Sequence, residues 1–247
     1  MYNLIKYELR KTLGLKGIIA AIIGIVEISF LIGLYTESDG FLAFGLMGLI
    51  FGTSTAIVVI GLYSIKLLSN DLNTKQAYML FMTPNSSYKI LGAKVIENYL
   101  SIIIASVFFT AIGALDVFLA FAKYSSLKDF FDGIGFFWSE LSEISPGVII
   151  LAIATMIAFW LYVIGTAFFC VVVSATFLNG KKHNGLLSFL LFIVIVNVFG
   201  KITNEIVAAI DGIQFNATAI AEIIIFLVLS AFMYLCTAWI MDNKLSV

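Results

Sequence analysis

The chain has 247 residues, 62% of them hydrophobic and only 12% charged, with a formal net charge of −1 and a mean hydropathy of +1.09. A water-soluble domain of this length needs a far larger share of polar surface, so lipid must be the solvent for most of the chain. A balance so close to neutral gives no electrostatic reason to expect nucleic acid as a partner.

A helix needs about 20 mainly apolar residues to cross the hydrocarbon core of a bilayer. Six stretches qualify: Gly17–Tyr35, Phe41–Ile65, Val95–Ala122, Pro146–Leu178, Leu186–Gly200 and Ala217–Met241. They are too long and too continuous for barrel strands, which show about ten residues of alternating polarity. The expected fold class is therefore all-α, a polytopic integral membrane protein with six transmembrane helices forming a single domain over residues 1–247.

Ahead of the first crossing, Tyr2, Ile5, Leu9 and Leu13 recur at helical spacing while Lys6, Arg10 and Lys11 lie off that stripe. This pattern predicts an N-terminal interfacial helix over residues 1–16, lying on the inner membrane surface. The plainer reading is a basic flank that only orients the first crossing. No small-residue cleavage site follows the first run, so a cleaved secretory signal is not expected.

Within the first crossing, Glu27 sits about midway, where a bare carboxylate costs about 2.5–3.5 kcal/mol. It is expected to face another helix, a cavity or a partner protomer. Gly45, Gly48 and Gly52 in the second crossing allow a close helix approach, with a dimer interface as one use and plain packing as the other.

Counting Lys and Arg in the connections sets the orientation. With the N-terminus inside, the inner side holds Lys6, Arg10, Lys11, Lys16, Lys66, Lys75, Lys89, Lys94, Lys181, Lys182 and Lys244, and the outer side only Lys123, Lys128 and Lys201. Both termini are then expected in the cytoplasm.

The inner connection Lys66–Lys94 is the most informative one. Asn73 and Gln76 form a candidate capping pair for a short helix through Ala77, Tyr78, Leu80 and Phe81, which Pro84 would end. Ser86 or Ser87 is a candidate cap for the next helix. A helix showing Tyr78, Met79, Phe81 and Met82 is too apolar for bare water, which leaves two readings: it rests on the membrane, or it fills a socket in another protein. Beyond it, Glu97 lies near the inner surface and is expected to pair with Lys94 or Lys66, while Asp116 sits near the outer end of the third crossing.

The outer segment Lys123–Ser145 carries Asp129, Asp132, Glu140 and Glu143, as befits a side without positive bias. The fourth apolar stretch exceeds one crossing, so it should tilt, kink near Gly165 or project beyond the membrane. His183, in the inner turn Asn179–Asn184, reads as a solvated loop residue. In Lys201–Asn216, Ile202, Ile206, Val207 and Ile210 have helical spacing, but Glu205, Asp211 and Gly212 interrupt a crossing. A short helix dipping into the outer face is the preferred reading, an amphipathic outer loop the other. Glu222 follows, six residues into the last crossing. Cys170 and Cys236 both fall inside crossings, without CxxC or Cys/His spacing for a metal. No catalytic constellation and no metal site emerge, so the chain is not expected to be an enzyme.

Thr74, then Leu80, then Thr83-Pro84 followed by Ser86/Ser87, Ile90 and Lys94 resembles the segment after the second crossing in ABC-2-type transporter permeases. The family usually has Gly where Asn73 stands and a Glu for which Asp71 is a displaced stand-in. Tyr88-Lys89 replaces a basic residue directly after the serine. The pattern covers about Asn70–Lys94, while the six-crossing architecture with a disturbed region before the last helix resembles the family over nearly the whole chain.

The resemblance implies a bacterial cell-membrane exporter subunit in which a coupling helix, Asp71–Thr83, docks into a separate ATP-binding subunit. Asp71, Thr74, Tyr78, Phe81, Thr83 and Pro84 would form that contact. It further implies two copies of the ATP-binding subunit, holding ATP and Mg, and a second permease chain, identical or paralogous. No Walker A pattern GxxxxGK[ST] occurs here, so ATP hydrolysis would fall to the partner. Glu27, Asp116 and Glu222 are candidates for a substrate path; the alternative for each is an interhelical hydrogen bond that fixes packing. The alternative function is a stand-alone channel or secondary transporter using those carboxylates, with an intramembrane enzyme a more distant third.

Overall fold

The computed structural model describes residues 1–73, 86–124, 127–178, 184–210 and 215–244. Seven helices account for almost all of them: α1 (Tyr2–Thr36), α2 (Asp39–Asn73), α3 (Ser87–Tyr124), α4 (Leu127–Glu143), α5 (Pro146–Leu178), α6 (Asn184–Ile210) and α7 (Phe215–Lys244). No strand occurs among the described residues. All except α4 are long and apolar enough to cross a membrane, so the chain is an all-α, multi-pass membrane protein.

Two boundaries differ from the sequence reading. The N-terminal stripe is not a separate element, because α1 runs unbroken from Tyr2 to Thr36. Gly14 and Gly17 alone stand between the stripe and the crossing, and an isolated helical glycine costs only about 1 kcal/mol, too little to end a helix without a proline or a cap. Likewise α6 continues through Gly200 to Ile210, so Lys201–Ile210 extends the fifth crossing. The remainder of that segment up to 214, like the turn bearing His183, lies outside the described residues.

The chain divides into two compact units. The first comprises Tyr2–Ser64 and Ile96–Glu143; the second comprises Met1, Ile65–Val95 and Ile144–Val247.

In the first unit α1 and α2 form a hairpin. Glu37 adopts a left-handed backbone, φ 56°, and Ser38 N–H donates to Gly33 O at 3.2 Å, a Schellman-type stop for α1. The Ser38 carbonyl then accepts from Leu42 N–H at 3.0 Å and starts α2. Close approach needs small residues, and here the glycine stripe finds its use. A Cβ on Gly45 would lie 2.5 Å from Phe30 Cα, one on Gly48 would lie 2.6 Å from Val26 Cγ1, and one on Gly52 would lie 3.0 Å from Ile23 Cδ1. The stripe is thus spent on α1 within the same chain. Ile23, Phe30, Leu34 and Leu49 are buried along this seam, with Phe109, Ile112 and Leu119 of α3 packed on it. Between helices in lipid the gain is tight van der Waals contact, not removal of apolar surface from water.

In the second unit α5 packs against α6 and, most extensively, α7. Pro146 opens α5 at the one helical position where its missing N–H costs nothing. Gly165 lies where α5 meets α7: a Cβ there would sit 3.6 Å from Ser230 O and 3.9 Å from Met233 Cβ. The core joins Leu68 of α2, Leu91 of α3, Ile164, Phe168 and Val172 of α5, and Ala238 and Met241 of α7.

Candidate functional site

The inner connection is anchored at both ends. α2 stops at Asn73 and α3 begins at Ser87, with the Ser86 carbonyl accepting from Ile90 N–H at 3.2 Å, which makes Ser86 the cap position. Just inside these ends, Lys94 Nζ donates to Asp71 Oδ2 at 2.7 Å, with side chains only 2% and 4% exposed. An ion pair this deeply buried strongly penalises loss of either partner, about 3–5 kcal/mol, because the survivor loses the counter-charge that offsets its burial. It fixes the spacing between the end of α2 and the start of α3. Tyr234 of α7 adds a second brace, its hydroxyl donating to Tyr88 O at 2.6 Å with the two rings edge to face at 6.4 Å. Of the candidate coupling residues, Asp71 is placed by this pair, whereas Thr74, Tyr78, Phe81, Thr83 and Pro84 lie outside the described residues.

Glu97 does not pair with Lys94 or Lys66. Its buried carboxylate sits within the first unit and accepts from four donors: Thr12 Oγ1 at 2.8 Å, Lys16 Nζ at 3.1 Å and Ser101 Oγ at 2.6 Å on Oε1, and Ser64 Oγ at 2.9 Å on Oε2. Lys16 also donates to Ser101 Oγ at 2.6 Å. One residue further along, Asn98 Nδ2 donates to Gly61 O of α2 at 3.0 Å. With donors supplied by α1, α2 and its own helix, Glu97 has no need of Lys94. Such a carboxylate cross-links three helices.

Glu27 and Asp116 are in a different condition. Their carboxyl groups lie within hydrogen-bonding reach of each other, joining α1 to α3. Glu27 Oε2 and Asp116 Oδ1 are buried, and among the described residues neither has a donor. Contact between two carboxyl groups is favourable only when one of them carries the hydrogen that is donated.

Glu222 belongs to the second unit, on the wall of a cleft of about 550 Å³ between α5, α6 and α7. Met156, Phe159 and Phe226 supply its apolar side, with the Phe159 and Phe226 rings edge to face at 5.5 Å, while Thr155, Asn204 and Glu222 supply polar groups. The Glu222 carboxylate makes no hydrogen bond or ion pair with the described residues. Of the three candidate path residues, Glu27 and Asp116 belong to the first unit and Glu222 to the second.

Two features escaped the sequence reading. α4 is a full helix where only a polar outer segment was expected, although its apolar residues recur at helical spacing. Lys123 caps α1: its ammonium donates to Leu34 O, lies 3.4 Å from Glu37 Oε1, and sits 5.8 and 5.5 Å from the ring centres of Tyr35 and Tyr124. Its position at the end of α3 carries no signal of a partner that far back in the chain. Cys170 and Cys236 are free thiols, and no cluster of three His, Cys, Asp or Glu suited to a metal occurs among the described residues.

Comparison of the chain with protein-family models, with curated proteins and with solved structures gives no match.

Proposed function

We propose that this chain is the transmembrane permease subunit of an ATP-driven exporter of the ABC-2 type, coupled through the segment between α2 and α3 to a separate ATP-binding subunit. The observation that supports it most is the buried Lys94–Asp71 pair, which sets the two ends of that segment at a fixed spacing. A connection meant to transmit force needs a stiff base, because motion delivered to a loose loop is absorbed before it reaches the crossings. The six crossings and the Thr83-Pro84 pattern fit the same reading. Two permease chains would enclose the path, and nucleotide-driven closure of two ATP-binding subunits would switch its access. The Glu222 cleft, apolar on one side and acidic on the other, suits an amphipathic or cationic cargo.

The test is purification of the tagged chain from its native membranes in mild detergent, followed by photolabelling with an azido analogue of ATP. A second polypeptide that labels and stays bound supports the proposal; flux carried by the purified chain alone, with no such polypeptide, refutes it. The Glu27–Asp116 contact favours one other reading, a stand-alone secondary transporter that moves a proton through this pair. That reading predicts uptake driven by a pH gradient in liposomes without ATP.

A further inference from the structure

We infer that α4 lies flat in the membrane surface, with its apolar face sunk into the boundary between lipid headgroups and acyl chains and its acidic face in water. The sequence of the helix carries the first part of the argument. Phe130, Phe131, Ile134, Phe137, Trp138 and Leu141 fall within an arc of about 120° when successive residues turn by about 100°. Lys128, Asp132, Ser139, Glu140, Ser142 and Glu143 occupy the opposite side, and Phe136 is the one apolar residue among them.

Exposure carries the second part. Phe131, Phe137 and Trp138 are 64%, 64% and 68% exposed, so among the described residues these three side chains are left largely uncovered. A contiguous aromatic surface of this kind does not stand bare in water. α4 is no crossing: its 17 residues span about 25 Å at about 1.5 Å per residue, short of the hydrocarbon core, and Asp132 interrupts it.

Covalent continuity identifies the occupant. Only 125–126 and 144–145 separate α4 from α3 and α5, both long and apolar enough to cross a membrane, so α4 is tethered at each end to a spanning helix and held near the bilayer. Phe130 ties its start to the end of α3, with ring centres 5.4 Å from Phe118 and 5.7 Å from Phe121. The α3 side chains Leu115 and Val117 are themselves exposed on a helix apolar enough to cross the membrane, so α4 adds to an exposed apolar surface already present. Trp and Phe above a charged face are the composition that settles at a membrane interface. Lipid is therefore the occupant, in preference to a second protein, and this holds whichever transport reading is correct.

The test uses the full chain in phosphatidylcholine vesicles. The emission removed by Trp138→Phe isolates Trp138 from Trp160 and Trp239. That component should be blue-shifted, resist aqueous acrylamide, and be quenched several-fold more by lipids brominated near the glycerol end of the acyl chain than by lipids brominated near the methyl end. Quenching by acrylamide as for free tryptophan, with no response to brominated lipid, would overturn the inference, as would strongest quenching from the methyl end. Nitroxide labels at Ile134→Cys and Glu143→Cys give an independent reading on opposite faces. The first should be relaxed by oxygen and the second by a water-soluble nickel complex; equal response of both labels to the nickel complex would also overturn it.

Discussion

Two acidic sites in the first unit, Glu97 and the Glu27–Asp116 pair, both within α-helical crossings, have opposite surroundings. Glu97 is met by four donors from Thr12, Lys16, Ser64 and Ser101, whereas Glu27 and Asp116 have each other and one buried oxygen apiece with no donor. A carboxylate that receives donors from three helices holds those helices together. A pair that is short of donors is poorly suited to a purely structural role, because each unmet buried oxygen costs about 1–3 kcal/mol that an apolar pair would avoid. The contrast assigns architecture to Glu97 and leaves Glu27 and Asp116 without the donors that a purely structural carboxylate collects.

The sharpest break of that contrast is Glu97→Ala. It removes the buried counter-charge of Lys16 and the shared acceptor of Thr12, Ser64 and Ser101, and should cost about 3–5 kcal/mol, read as loss of the monodisperse folded chain in detergent. Survival of the folded chain at the parent melting temperature would remove the architectural role. Lys94→Met should destabilise by a comparable amount in the second unit. The double variant Lys94→Met, Asp71→Leu should recover most of that loss, since an apolar pair of similar volume often replaces a buried ion pair without net cost. No recovery would mean that Asp71 or Lys94 acts through some further contact.

Gly45→Leu follows in size. Its side chain meets the Phe30 backbone rather than a flexible tip, so a cost of about 1–3 kcal/mol is expected in thermal stability. Retention of stability combined with a changed oligomeric state would move the glycine stripe from intrachain packing to a dimer interface. The smallest effect on folding belongs to Glu27→Gln, which keeps shape and a donor toward Asp116. Its melting temperature should stay within about 0.5 kcal/mol equivalent of the parent while transport falls sharply. Normal transport in this variant would place Glu27 beside Glu97 as a structural residue, and the contrast would collapse.

The six crossings were legible in the sequence because lipid imposes the same demand on every residue of a spanning helix, so each run announces itself by length. Helix ends inside polar flanks were not, as the fusion of residues 2–16 with the first crossing shows: the change from interfacial to spanning solvent leaves the backbone pattern untouched. Glu97 was legible as a charge seeking a partner, but its donors Thr12, Lys16 and Ser64 lie 33 to 85 residues away, and sequence proximity pointed to Lys94 instead. α4 carried a readable period in Phe130, Ile134, Phe137 and Leu141, interleaved with the acidic residues Asp132, Glu140 and Glu143. The contact of Glu27 with Asp116 needed the fold of α3 against α1, for which no local pattern exists.

The central claim is that the segment between α2 and α3 docks a separate ATP-binding subunit, and Phe81→Asp tests it most directly. The tagged parent and the variant would be purified in parallel from native membranes in mild detergent and photolabelled with the azido analogue of ATP. The account predicts a labelled second polypeptide with the parent and its loss, by tenfold or more, with a variant that still elutes as a folded membrane protein. A tenfold loss corresponds to about 1.4 kcal/mol, well within what one buried aromatic anchor contributes. Equal recovery of the labelled polypeptide with both chains would contradict the account.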